Sequence, residues 1–159
     1  MLPKPKGRRR GAYPLSPRSH EIPIQTRVGV FILEMSPKGL RRVRFPSKSP
    51  APVSGLCSVS LSVLGRNLGL PLDLSGCTSF QRKVYAALRK VPAGKTVTYG
   101  ELAKRAGYPG AARAVGTAMK LNCLPIVIPC HRVIRSDGSL GLYSQGIEWK
   151  RTLLACEGR

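Results

Sequence analysis

Cys130, His131 and Arg132 stand side by side after an apolar run, in Ile128-Pro129-Cys130-His131-Arg132-Val133. A thiol is a nucleophile as its thiolate, and neighbouring cations favour that form. His131 is one of only two histidines, the other being His20, and it directly follows the thiol. Pro129 fixes the chain direction and removes a donor, which suits a presented loop better than a mid-strand position. In extended chain, adjacent side chains point to opposite faces. His131 therefore reaches the Cys130 sulfur only through a sharp backbone turn or a bridging water. Glu157, past the last helical stretch, could orient the other imidazole nitrogen, which gives a nucleophile, a base and an orienter. The competing reading makes Cys130 a buried small hydrophobe and Glu157 a solvated acid.

The composition points to a polyanionic partner. Of the 159 residues, 42% are hydrophobic, enough for the core of one domain with or without a small appendage. There are 27 Lys and Arg against 7 Asp and Glu, a formal net charge of +20. Each cation that neutralises a phosphate releases condensed counterions, so this excess favours nucleic acid over a membrane surface. The five cysteines include no C-x-x-C pair, and with two histidines no zinc spacing arises. No metal is expected, a disulfide framework is not expected, and a reducing compartment is. No stretch has the length or apolarity of a signal peptide or membrane span, so a soluble intracellular protein is expected.

The positioning elements sort into three parts. Residues 1–20 are basic, proline-containing and free of acid, and read as a disordered tail. Its Lys4–Arg10 stretch suits a nuclear address or a non-specific DNA contact. Residues 21–75 read as a reduced N-terminal domain: a strand Arg27–Leu33, a turn at Ser36–Gly39, a strand Leu40–Phe45, then a linker with a short packed segment around Val59–Leu64. Residues 76–159 are better organised. Thr78…Gln81 and Thr98…Glu101 are capping boxes that open two helices, the first with Phe80, Val84 and Leu88 on one face. The second ends at Gly107, and a further helix over Ala111–Leu121 follows, with Ala114, Val115, Ala118 and Met119 as its stripe. Two short helices joined by a tight turn describe a helix-turn-helix. Its second helix is rich in small residues and bears Arg113 and Lys120, which suits close approach to nucleic acid. Asn122 is expected to end that helix in a left-handed conformation. Pro125–Pro129 reads as a short buried strand, and Val133–Arg135, Asp137-Gly138 and Leu140–Tyr143 as a wing-like hairpin. A last helix over Ile147–Cys156 places Ile147, Leu153 and Leu154 on the core.

These residues resemble the O6-alkylguanine-DNA alkyltransferase family. The likeness spans Phe80–Gly158 and rests on Phe80-Gln81, Thr98-Tyr99, Ala111-Ala112-Arg113-Ala114-Val115-Gly116, Asn122, the Pro129-Cys130-His131-Arg132-Val133 segment, Gly141–Gly146 and Leu153-Leu154-Ala155-Cys156-Glu157-Gly158. The resemblance implies an α+β protein with a C-terminal winged helix-turn-helix-like alkyltransferase domain. A reduced N-terminal β-hairpin/α-β domain, ribonuclease H-like, would precede it. Cys130 would accept an alkyl group once, without cofactor, with His131 acting through a water and Glu157 behind it. Tyr99 would rotate the target phosphate and hydrogen-bond the flipped guanine, and Arg113 would fill the gap in the stack. Backbone groups of Cys130, Val133 and Ser144 would hold the base, with Tyr143 and Met119 lining its pocket. Asn122 would tie the recognition helix to the active-site strand. Gln81, Gly100, Tyr108 and Ser136 match DNA-contacting positions. The implied partner is double-stranded DNA carrying O6-alkylguanine, bound through its minor groove by a monomer in the nucleus or, in a bacterium, the cytoplasm.

This chain departs from the family pattern in places. Cys123 follows Asn122 where the family usually has proline, and the helix expected before Leu70-Pro71-Leu72 is shortened or absent. Two other readings compete: a helix-turn-helix module that binds alkylated DNA without repairing it, and a thiol hydrolase. Cys130 argues against the first, and the net charge against the second.

Overall fold

The structure, a computed structural model, describes residues 20–26, 29–47 and 69–158. The basic tail up to residue 19 and the segment around Val59–Leu64 lie outside the described residues.

Three antiparallel strands open the described chain, one more than the expected hairpin: β1 (His20–Thr26), β2 (Gly29–Ser36) and β3 (Gly39–Arg44), in that order across the sheet. β1 crosses the boundary drawn at residue 20, and His20 pairs with Met35. Pro23 masks its signal, yet a proline is tolerated because β1 is an edge strand. Phe31, Leu33 and Met35 of β2 point into the core. Glu34, also buried, is held by Arg44 at 3.0 Å.

The sheet shares its core with the C-terminal half. Phe31 and Phe45 meet Trp149 edge to face, at centroid distances of 5.8 and 4.9 Å. The far edge of β3 is also occupied, since Val43 N–H donates to the Cys123 carbonyl at 2.8 Å. A strap through Pro71–Asp73 bonds Leu40 on both sides, with Leu40 N–H to Pro71 O and Asp73 N–H to Leu40 O, each 2.8 Å. Gly39 makes this approach possible. Its φ is +127°, and a Cβ there would run into the Pro71 carbonyl. Gly39→Ala is therefore expected to lower unfolding stability by about 2–4 kcal/mol, measured by denaturant melts.

Helices form where the capping boxes predict. Thr78 Oγ accepts from Gln81 N–H at 3.2 Å while Gln81 Oε1 accepts from Thr78 N–H at 2.8 Å, which starts α1 (Ser79–Arg89). Thr98 and Glu101 repeat the arrangement for α2 (Tyr99–Arg105). A short turn leads to α3 (Ala112–Lys120), and Tyr85 Oη of α1 donates to Ala118 O at 2.9 Å, locking the two together. α3 buries Val115, Ala118 and Met119, whereas Ala114, expected inward, is exposed. The helix packs on α1 and α2 along one narrow arc, and Ala114 lies outside it. The last helix is α4 (Ile147–Cys156).

Three expectations fail around the loops. Pro125–Pro129 is not a strand: Pro125 bridges only Ile128, and Ile126 takes a positive φ of 75°. With prolines at both ends and a reversed residue between them, the segment turns. After it, β5 (Val133–Ile134) pairs in parallel with β4 (Val97–Thr98). The turn at Asp137-Gly138 closes through Arg135 N–H to Ser139 O at 2.9 Å, but Leu140–Tyr143 does not return as a strand. Lys150 Nζ takes the Leu140 carbonyl that a ladder would use. Lastly, Cys77, Cys123 and Cys130 are free thiols, while Cys156 is disulfide-bonded, a disulfide in a chain for which no disulfide framework is expected. No helix among the described residues is long and apolar enough to cross a membrane.

Candidate active site

Cys130 opens a 3-10 turn, Cys130–Arg132, rather than ending a strand. Asn122 sets that turn up from a distance. Its Nδ2 donates to Ile128 O at 2.9 Å and its Oδ1 accepts from Leu124 N–H at 3.0 Å, so one buried side chain pins both ends of the reversal at Ile126. The expected left-handed conformation at Asn122 is absent: among the described residues positive φ at a non-glycine occurs at Ile126, and Leu121 caps α3 in ordinary right-handed geometry. The side chain of Asn122, not its backbone, carries its structural role.

The turn also corrects the picture of alternating side chains. His131 is directed inward and is 1% exposed. Its Nε2 lies 2.9 Å from Glu157 Oε1, and its Nδ1 is buried with no hydrogen-bond partner among the described residues. Glu157 is fixed by three further groups. Arg132 reaches it through Nε at 3.1 and 3.0 Å and through Nη2 at 2.6 Å, and Gly94 N–H donates at 3.2 Å. Arg132 is itself anchored on Val91 O at 2.6 Å. The sequence reading placed Arg132 beside the thiol as a cation. It is instead a bidentate clamp on Glu157.

The electrostatics follow from burial and these bonds. Burial alone would raise the Glu157 carboxyl, but the hydrogen bonds and charges of His131 and Arg132 outweigh it and hold the group at about 2. Burial lowers His131, and Glu157 only partly opposes this. The ring is therefore neutral at neutral pH. A carboxylate only accepts, so Nε2 carries the proton and Nδ1 presents a lone pair. Burial raises the Cys130 thiol, against weaker opposing effects of Asn122, Tyr143 and Lys150. The resting sulfur is a thiol with a buried base nearby, not a standing thiolate.

A groove running from β3 across α3 to the loop after β5 reaches Cys130. Tyr99, Gly100, Arg113, Met119 and Asn122 line it, as do Ser136, Tyr143, Ser144 and, towards α1, Gln81. Its wall is basic, including Arg41, Arg42, Arg44, Lys120 and Arg135, and the three arginines of β3 were not foreseen as part of the site. Tyr99 is half-buried, and its hydroxyl would lie 3.6 Å from a Cβ at Gly141, where φ is +68°. Tyr143 Oη is buried and coupled to the Cys130 thiol. Tyr108 lies off the groove, its ring on Phe80 at 4.8 Å beneath the Lys83 ammonium. Val133 is fully buried in β5, and neither it nor His131 or Glu157 lines the groove.

Sequence reasoning also missed Lys150, which is fully buried. A signal was present: helical spacing puts position 150 on the same face as Ile147, Leu153 and Leu154, where an apolar residue is expected. The Arg132–Glu157 clamp left no comparable signal, because its partners are far apart in sequence.

The family model for the 6-O-methylguanine DNA methyltransferase DNA-binding domain matches residues 79–159. A methylated-DNA–protein-cysteine methyltransferase of Mycolicibacterium paratuberculosis is 52% identical over 90 residues, covering 57% of this chain and 54% of the relative. One of Methanothermobacter thermautotrophicus is 49% identical over 87 residues, 55% of this chain and 48% of the relative. The chain thus spans about half the length of the curated relatives it matches. Among solved structures, the Mycobacterium tuberculosis OGT protein in complex with DNA superposes with a TM-score of 0.69 at 36% identity, covering 87% of this chain and 93% of that one.

Proposed function

The chain belongs to the 6-O-methylguanine DNA methyltransferase family, and from that premise we propose that it repairs DNA by moving an alkyl group from O6 of guanine to Cys130, once and irreversibly. The observation that carries this reading is the relay behind the thiol: His131 Nε2 held on Glu157 at 2.9 Å, with Nδ1 buried and unpaired. The Cys130 proton passes to Nδ1 through a water, and Glu157 stabilises the imidazolium that forms. The thiolate attacks the alkyl carbon, a C–S bond forms as the C–O bond breaks, and the departing guanine anion takes up, through water, the proton that His131 gives back, leaving as the neutral keto base. No second reaction restores the thioether to a thiol, so each molecule acts once.

The groove supports DNA as the substrate. We read α2 and α3 as a helix-turn-helix, preceded by a reduced ribonuclease H-like portion. α3 would enter the minor groove with its small-residue face. Arg113, exposed on α3, would fill the stack when the target guanine swings out to meet Tyr99, Tyr143 and Ser144 beside Cys130. A monomer acting inside the cell fits this reading.

The test counts lesions removed per protein molecule from a duplex bearing O6-methylguanine. One lesion per molecule, with binding that weakens steeply as salt rises, is the expected result. Repeated turnover would replace this reading with a hydrolase. Binding without lesion loss would replace it with a recognition module.

A further inference from the structure

The short parallel ladder behind the site brings two polar side chains together at the groove. Its register sets Val97 against Val133 and Thr98 against Ile134, so the next residue of each strand, Tyr99 and Arg135, leaves the ladder at the same end. Both line the groove that reaches Cys130. Gly141 leaves room between them. Its φ is +68°, and a Cβ there would lie 3.5 Å from both Cγ and Nε of Arg135 and 3.6 Å from Tyr99 Oη. With only hydrogen at that position, the hydroxyl and the guanidinium border one small space. The Arg135 backbone is fixed by the turn that follows, its N–H donating to Ser139 O at 2.9 Å and its carbonyl accepting from Gly138 N–H at 3.1 Å.

Arg135 is exposed, and no carboxylate among the described residues forms an ion pair with it. Asp137, the nearest acid in sequence, turns its Oδ1 to Ser139 N–H at 2.9 Å. Other basic groups near the groove are already engaged: Arg42 and Arg44 stand against Glu34, and Arg132 holds Glu157. A guanidinium offers its donors in a planar fork that matches phosphate oxygens. The Tyr99 phenol, kept protonated by its burial, adds a neutral donor beside it.

We propose that Arg135, together with Tyr99 Oη, grips one backbone phosphate of DNA, the one next to the nucleotide whose base enters the Cys130 site. The inference rests on the DNA-repair reading and assigns that site its phosphate anchor. Arg135 follows Cys130 through the 3-10 turn and β5, so the phosphate and the acceptor sulfur are referred to one continuous piece of backbone. An anchor built this way fixes how deeply the nucleotide sits, because phosphate contacts set register and orientation while the base is read elsewhere.

The test measures binding in a Cys130→Ala background, where no transfer intervenes, on a duplex bearing O6-methylguanine. Adding Arg135→Gln is expected to weaken binding about tenfold and to reduce the slope of log affinity against log salt by about one. Arg135→Lys keeps the charge and should keep the slope while losing part of the affinity. Single methylphosphonates, each replacing a charged phosphate by a neutral group, are then placed in turn around the lesion. At one adjacent position the substitution should cost the protein with Arg135 about tenfold and the Arg135→Gln protein almost nothing, since both changes remove the same contact. Affinities and salt slopes that coincide with and without Arg135 would overturn the proposal. So would methylphosphonate penalties that Arg135→Gln leaves unchanged at every position, since Arg135 would then touch no particular phosphate. A position-specific contact in a chain whose Cys130 form removes no lesion would instead overturn the repair reading alone.

Discussion

Cys130→Ala is expected to abolish alkyl transfer completely while lesion DNA is still bound at close to parental affinity. Cys130 is 4% exposed at the inner end of the groove, so loss of its sulfur removes the acceptor without removing a docking contact. The fold should tolerate the change. Deleting one small buried group costs on the order of 1–2 kcal/mol, and the bonds of Asn122 to Ile128 O and Leu124 N–H, which hold the turn, survive the change. Transfer and binding are measured on the same oligonucleotide. A variant that loses both would mean that the sulfur is part of the binding surface.

Glu157→Gln is the second large effect, and two readouts separate its causes. Transfer should slow by about 10²–10⁴-fold, because a neutral amide no longer stabilises the imidazolium on His131. Stability should fall as well, by about 3–5 kcal/mol, since Arg132 loses its anionic partner in a largely buried position. The acid limb provides a distinct signature. Glu157 is depressed from an ordinary 4.5 to about 2 in the folded protein. The unfolded chain therefore takes up the proton first as pH falls, and the stabilisation present above about 4.5 is lost on the way to about 2, amounting to roughly 3 kcal/mol. His131 acts in the same direction at higher pH: its folded value lies below the ordinary 6.5, so protonation of the unfolded chain erodes stability as pH falls below that value. Glu157→Gln should lack the lower of these two losses in thermal melts across the acid range. An unchanged acid limb would contradict the ion-pair account.

The elements legible in the sequence are those written locally. Both capping boxes form, and α4 runs from Ile147 to Cys156 as its spacing predicts. A side-chain cap or an apolar repeat needs only neighbours three or four residues away. What failed was settled over longer distances. β1 depends on pairing with β2 and is obscured by Pro23. The turn at Ile126 depends on Asn122, and the missing return strand on Lys150, ten residues beyond the carbonyl it captures. The candidate site divides in the same way. Cys130 and His131 are adjacent and were visible, and Glu157 was a plausible orienter. The bidentate grip of Arg132 and the basic wall from β3 exist only once the two halves share one core around Phe31, Phe45 and Trp149. Tyr108, matched as a DNA-contacting position, packs its ring on Phe80, outside the residues that line the groove.

The central claim is that one particular sulfur receives the alkyl group. The direct measurement is peptide-resolved mass spectrometry after incubation with duplex DNA containing O6-methylguanine. The expected result is a single added methyl on the peptide carrying Cys130, with Cys77 and Cys123 unmodified and the DNA restored to guanine. A methyl on another residue, or repaired DNA with no methyl on the protein, would contradict the account.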